Sequence, residues 1–129
     1  MRVRCVAENL SAEREVLQGP EFLSQQFQLT VGRDYLVYGI QFRPGRKSGS
    51  GCWIEYETEL GYLGFAPLML FEINEPKVSR FWQIGFAADG TILLEPPSFR
   101  RKYYFDDLSS GAETVIRDFA EVKKMLQGE

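Results

Sequence analysis

Residues 52–73 read CWIEYETELGYLGFAPLMLFEI, the longest apolar-rich stretch of the chain. Successive side chains of a strand point to opposite faces. Residues 52–60 therefore divide into Ile54, Tyr56, Thr58 and Leu60 on one face and Trp53, Glu55, Glu57 and Glu59 on the other. The first set suits a core. The second is a ladder of carboxylates that begins at an indole ring. Acids two residues apart on one face stand about 7 Å apart, a repulsion that a water-facing surface tolerates. The pattern predicts that Trp53, Glu55, Glu57 and Glu59 project together into solvent. From Gly61 to Ile73 the stretch is almost wholly apolar. Pro67 has no N–H for a ladder, so we expect a strand to about Phe65, a turn at 67–70 and a short strand at 71–73, covered on both faces.

Working outward, residues 35–42 (YLVYGIQF) read as a strand with Gly39 as a bulge. Residues 43–51 (RPGRKSGSG) hold no core-forming side chain and read as a loop joining two antiparallel strands. A phosphate-binding loop is the alternative, but no Gly-Lys-Ser/Thr ending opens a helix here. Residues 2–7 alternate as a first strand, with Val3, Cys5 and Ala7 inward. Residues 11–17 suit a short helix or an ordered loop, ended by Gly19–Pro20. Between residues 21 and 30, Phe22, Leu23, Phe27 and Leu29 are candidates for burial.

Downstream, residues 78–87 read as a strand with Trp82, Ile84 and Phe86 on one face. Ala88–Asp89–Gly90 forms a hairpin turn, and residues 91–95 (TILLE) return. Pro96–Pro97 closes the sheet. Phe99 and Tyr103 share a helical face, so a short helix fits residues 98–105. Ser110 and Glu113 match a capping box, with Asp106–Asp107 supporting the helix start. Beyond it Ala112, Val115, Ile116, Phe119, Val122 and Leu126 recur at helical spacing. The expected fold is α+β in a single domain, residues 1–129: a bent antiparallel sheet of about five to seven strands, barrel-like in one form, with the C-terminal helix packed on it.

Composition bounds the function. A chain of 129 residues makes one domain, and 44% hydrophobic with 26% charged residues is ordinary for a globular protein. A net charge of −3 argues against phosphate-driven nucleic-acid binding. There is no run of about 18 apolar residues and no leader-like apolar segment. A cytoplasmic address, no nucleic acid and no membrane are therefore expected. Cys5 and Cys52 are expected as free thiols rather than a disulfide.

The chain has no histidine. That removes the commonest general base, the usual partner of serine and cysteine nucleophiles, and the commonest zinc ligand. Two separated cysteines make no zinc motif. No catalytic residue, metal ligand or cofactor site is expected. The acids remain: between residues 47 and 77 lie five glutamates, Glu55, Glu57, Glu59, Glu72 and Glu75, and no Lys or Arg. Such a run is commonly a solvated face. It also suits docking of a cationic protein, with Trp53 as an apolar anchor and the glutamates as steering charges. A paired-carboxylate glycosidase would need acid and base across a cleft, which a strand ladder does not supply.

Residues 29–40 (LTVGRDYLVYGI), 70–82 (LFEINEPKVSRFW) and 106–111 (DDLSSG), with a short opening strand around Val3–Arg4–Cys5, carry a resemblance. The chain resembles a group of small, uncharacterised bacterial cytosolic proteins, some of them similar to immunity proteins of toxin–immunity systems. That resemblance implies a shared fold and carries over no functional residue. Together these observations lead us to expect a non-enzymatic binding protein, an immunity protein that neutralises a cognate toxin through an acidic, aromatic face of Trp53, Glu55, Glu57, Glu59, Glu72 and Glu75. The protein partner would be a basic toxin domain, and the chain itself a monomer or homodimer. The alternatives are a small ligand-binding or carboxylate-dependent enzyme domain with a buried Glu, and an adaptor subunit.

Overall fold

The fold is described from a computed structural model, covering residues 1–8, 27–45 and 51–129. The expected helix or loop at 11–17, the burial of Phe22 and Leu23, and the tip of the loop at 46–50 lie outside the described residues. Seven strands form one antiparallel sheet that does not close into a barrel: β1 (Arg2–Cys5), β2 (Asp34–Arg43), β3 (Gly51–Glu57), β4 (Leu63–Pro67), β5 (Phe71–Glu75), β6 (Gln83–Phe86) and β7 (Ile92–Glu95). The main path runs β4-β3-β2-β1-β5. The long β2 organises it. Residues 34–36 of β2 pair with β1, residues 40–42 pair with β7, and β6 pairs beyond β7. One strand thus serves two sheet arms, which bends the whole.

A bulge in β2 sets which side chains face where. Val37 lies opposite Tyr56 and Gly39 opposite Glu55, so β2 holds one more residue here than β3. An inserted residue shifts the period-2 pattern by one. Tyr35, Val37 and Ile40 consequently reach one apolar cluster, with Val3, Cys5, Ile54, Tyr56, Ala66, Leu70 and Phe71. Tyr38 reaches a second cluster, with Leu63 and the helices. Gly39 was expected as a bulge, and the register bears this out.

Two helices build the second cluster, α1 (Tyr104–Ser110) and α2 (Glu113–Gln127). Val115, Phe119, Val122 and Leu126 of α2 are buried, as the helical spacing predicts, while Ile116 stays 45% exposed. The Tyr38 ring stacks on Phe119 at 5.1 Å and on Phe99 at 6.4 Å. Lys123 of α2 reaches Glu57 of β3 at 2.8 Å, and the Tyr38 hydroxyl donates to the same carboxylate at 3.1 Å.

Several expectations are corrected. The strand expected to run to Phe65 is two strands: Thr58–Tyr62 is a tight connection, closed by Thr58 N–H to the Tyr62 carbonyl at 2.8 Å. Leu60, assigned to the core face, is exposed at its tip. The capping box does not form. Ser110 belongs to α1 and donates back to the Asp107 carbonyl, and Ala112 is the uncapped start of α2. Gly111, in left-handed conformation at φ 88°, ends α1 and turns the chain into α2. The expected helix at 98–105 is instead a 3-10 turn at Pro97–Arg100 followed by α1 from Tyr104, and Asp106 and Asp107 occupy the first turn of α1. The strand at 78–87 shortens to Gln83–Phe86, while the turn at Ala88–Gly90 is where it was expected. Cys5 and Cys52 are both free thiols.

Replacing a buried core ring should separate the two faces of α2. We expect Phe119→Ala to cost about 3–5 kcal/mol in urea unfolding. Ile116→Ala, three residues away on the exposed side, should cost under about 1 kcal/mol. Equal losses at the two positions would contradict this packing.

Candidate functional site: a buried carboxyl pair beside an aromatic groove

The alternation read from residues 52–57 is correct, but its outer face is not in water. Trp53, Glu55 and Glu57 point to the sheet face that carries the helices and the Pro97–Arg100 turn. Trp53 is 3% exposed, with the Arg43 guanidinium 4.1 Å over its ring and Phe27 edge-on at 5.9 Å. It is no exposed anchor. Glu55 is fully buried. Glu57 is held by Lys123 and Tyr38. Glu59 has left the strand for the turn, where the Thr30 hydroxyl and Arg33 bind it at 2.7 and 3.1 Å. Glu72 and Glu75 are exposed on the edge strand β5, with Glu72 opposite Arg4 and Glu75 paired to Arg2 at 3.0 Å. Strands β2 and β1 lie between β3 and β5. The six residues therefore do not form one acidic face. Alternation assigns side chains to sides; it does not say which side another layer covers.

What the structure brings together is a different set. Glu55 stands opposite Gly39 of β2, and Glu95 of β7 lies just beyond the Ile40–Leu94 pair. The two carboxyl chains meet over Gly39. A Cβ on Gly39 would come 2.5 Å from Glu55 Oε1 and 3.0 Å from Glu95 Cβ, so only glycine admits the pair. Glu95 is 2% exposed. Among the described residues no amide or hydroxyl donor reaches either Glu55 oxygen or Glu95 Oε2. The hydrogen bond open to them is the one between the two carboxyls, and that requires a proton on one. Burial first, and then the hydrogen bond and charge of Glu95, hold the Glu55 carboxyl well above the ordinary carboxylate range, against Arg43 and Arg100.

Arg100 completes the arrangement. Its Nε lies 3.8 Å from Glu95 Oε1, and its Nη2 donates to the Gln83 carbonyl. The guanidinium lies flat over Gly85, where a Cβ would come within 2.7 Å of Cζ. Beside it opens a groove of about 320 Å³, with Gln41, Glu95 and Arg100 as its polar members and Phe86, Leu93, Phe99 and Phe105 as its apolar ones. Gln41 is itself pinned, its Oε1 accepting from Arg43 at 3.0 and 2.9 Å. The chemistry on offer is a buried pair of acids at the edge of an apolar groove.

Comparison with protein-family models, curated proteins and solved structures finds no match. The site is thus read from its own geometry. Among the described residues no group of three or more His, Cys, Asp or Glu side chains is placed to hold a metal ion. No helix there is long and apolar enough to cross a membrane.

Glu55 was named from the sequence for the wrong reason, as an exposed charge. Glu95 and Gln41 carry no site reading in the sequence, and Arg100 reads there only as part of the basic, solvent-facing run 100–102. Their one sequence signal was Glu95 as the only charge in the apolar run 92–95, directly before Pro96–Pro97.

Two outcomes test the site. Gly39→Ala should destabilise the protein by about 1–3 kcal/mol through overpacking against the carboxyls; a neutral effect would remove the close approach. For pH, a raised carboxyl pKa means the fold retains a proton that the unfolded chain releases. That contribution is whole below the ordinary glutamate value, about 4.3, and is lost as pH rises through the folded value. Glu55→Gln cannot ionise, so its stability relative to the native chain should climb as pH rises above the ordinary glutamate value and level off once the folded carboxyl has ionised. A pH-independent difference in urea titrations would show that Glu55 is not protonated in the fold.

Proposed function

We propose that this chain is a non-enzymatic binding protein that accepts a cationic side chain, lysine or arginine, from a protein partner into the groove at Glu95. One observation carries the reading: Glu95, a residue only 2% exposed, has a buried carboxyl oxygen with no donor among the described residues, and the same residue borders the groove. An unsatisfied buried acceptor is costly and marks a functional candidate. A guanidinium or ammonium supplies N–H donors and positive charge in place of the shared proton. Phe105, half-buried among the apolar residues that line the groove, adds a ring to the same group. Overall charge of −3 favours approach of a basic protein. The resemblance to immunity proteins gives that partner its finer identity, a basic domain of a bacterial toxin, to be neutralised by occupation of the groove. Glu72 and Glu75 on the exposed edge strand then act at most in steering, because exposed pairs such as Glu75–Arg2 contribute little.

The same carboxyl pair favours a second reading, a small ligand-binding or carboxylate-dependent enzyme domain, since adjacent protonated and ionised acids can give and take a proton. The two side chains meet over Gly39, whereas glycoside hydrolysis places its acids on either side of a scissile bond, about 5–9.5 Å apart, so that chemistry is the least suited.

An NMR titration with N-acetyl-arginine methylamide separates the readings. Saturable shifts should appear together at the amides of Gly39, Leu93 and Arg100. Glu95→Gln should weaken the binding by about fivefold or more, the scale of a hydrogen bond to a charged group. Equal binding of the uncharged citrulline analogue would transfer the groove to the ligand reading, and no saturable shift would end both.

A further inference from the structure

The sheet has three edges among the described residues: β4, β5 and β6 each pair with one strand only. Open edges template further pairing unless something blunts them. On β4, Pro67 removes a donor and α1 packs nearby through Phe105 on Phe65 at 5.1 Å. On β5, Glu72 and Glu75 would meet their own copies in a self-pairing. Only β6, Gln83–Ile84–Gly85–Phe86, carries neither a charge nor a proline. We infer that β6 pairs antiparallel with β6 of a second copy of this chain, giving a two-fold dimer with one continuous sheet.

The register follows from the hairpin. Ala87 N–H donates to the Thr91 carbonyl at 2.9 Å. Hydrogen-bonded positions in an antiparallel ladder alternate. Gly85 and Gln83 therefore bond inward to β7, while the backbone groups of Ile84 and Phe86 turn outward. A two-fold centred on Gly85 sets Ile84 against Phe86 of the second copy, and Phe86 against its Ile84, closing four backbone bonds. Ile84 and Phe86 are also the apolar side chains left open there, 59% and 71% exposed. Each would gain an aliphatic–aromatic cross-strand partner. At the centre, glycine faces glycine in a close, non-hydrogen-bonded pair. Phe42, 42% exposed, extends the same apolar side through Ile92 to Phe86. Both Arg100 guanidiniums then approach the two-fold from the helix face, a like-charge approach that each one's own Glu95 offsets and that keeps the pairing weak. A four-residue strand gives a small interface of the weak, reversible class.

The test combines sedimentation velocity with residue-resolved amide exchange on the whole chain. Sedimentation should shift from monomer to dimer between micromolar and millimolar concentration. In parallel, exchange at Ile84 and Phe86 should slow, while Gly85 stays protected throughout by β7. Ile84→Lys, at a solvent-exposed position outside the groove, should weaken dimerisation by about tenfold or more through like charges and lost pairing. Its thermal unfolding and its arginine-analogue titration should match the native chain, which separates this dimer from the binding reading above. A monomer at every concentration would overturn the inference, as would a dimer indifferent to Ile84→Lys or formed with Ile84 and Phe86 still exchanging fast.

Discussion

The contact between Glu55 and Glu95 across Gly39 constrains more of this molecule than any other. It needs a residue without a side chain at one point of a long central strand, and a bulge that turns that point to the helix face. It also needs β7 on the edge of β2 away from β3. Each condition is met by a separate stretch of chain: the bulge at Val37–Gly39, the Ile40–Leu94 pairing, and the tie of β3 to the helix face through Glu57 and Lys123. Carboxyls are rarely buried without donors. Here the cost is met by two apolar clusters, one on each face of the sheet, which hold the strands in register around the pair.

The distribution of charge explains why an acidic face fails to appear. Glu59 and Glu75 have arginine partners in exposed pairs, as does Asp34 with Arg4 at 2.9 Å. Such pairs are worth up to about 1 kcal/mol and are screened within a Debye length of about 8 Å in physiological salt. Glu57 is tied to α2. The hidden acids, Glu55 and Glu95, share one loosely placed cation, Arg100, in surroundings where the low dielectric leaves their interaction unscreened. A count of glutamates along the chain finds a surplus of five between residues 47 and 77, but Arg2, Arg33 and Lys123, none of them in that stretch, pair three of the five.

Legibility from sequence followed the range of the interaction. Period-2 alternation in residues 52–57, the Gly39 bulge, the Ala88–Gly90 turn and the apolar stripe of α2 depend on neighbours within a few residues, and each appeared as read. The split of residues 52–65 into two strands turned on a connection at Thr58–Tyr62 whose Glu-Leu-Gly sequence looks strand-compatible apart from Gly61. The capping box at Ser110 failed because a second helix, α1, claimed that serine. The site itself joins β2, β3, β7 and the Pro97–Arg100 turn, and nothing local in Glu55 or Glu95 announces that they meet.

Arg100 links the two surfaces argued above. One guanidinium reaches Glu95, covers Gly85 and donates to the Gln83 carbonyl. Gly39 and Gly85 are thus the two cleared positions flanking Glu95, one filled by a carboxyl and the other by a guanidinium. At 3.8 Å the Arg100–Glu95 approach is long for a charge-assisted hydrogen bond, which favours about 2.7–2.9 Å. The Gln83 carbonyl holds the guanidinium toward β6 and away from a closer bidentate fit. Glu95 therefore keeps one buried carboxyl oxygen without a donor among the described residues, while its nearest cation is engaged by backbone. Removing Gly85 would displace that cation without touching either acid, so a glycine on the edge strand helps set the electrostatics of a groove one strand away.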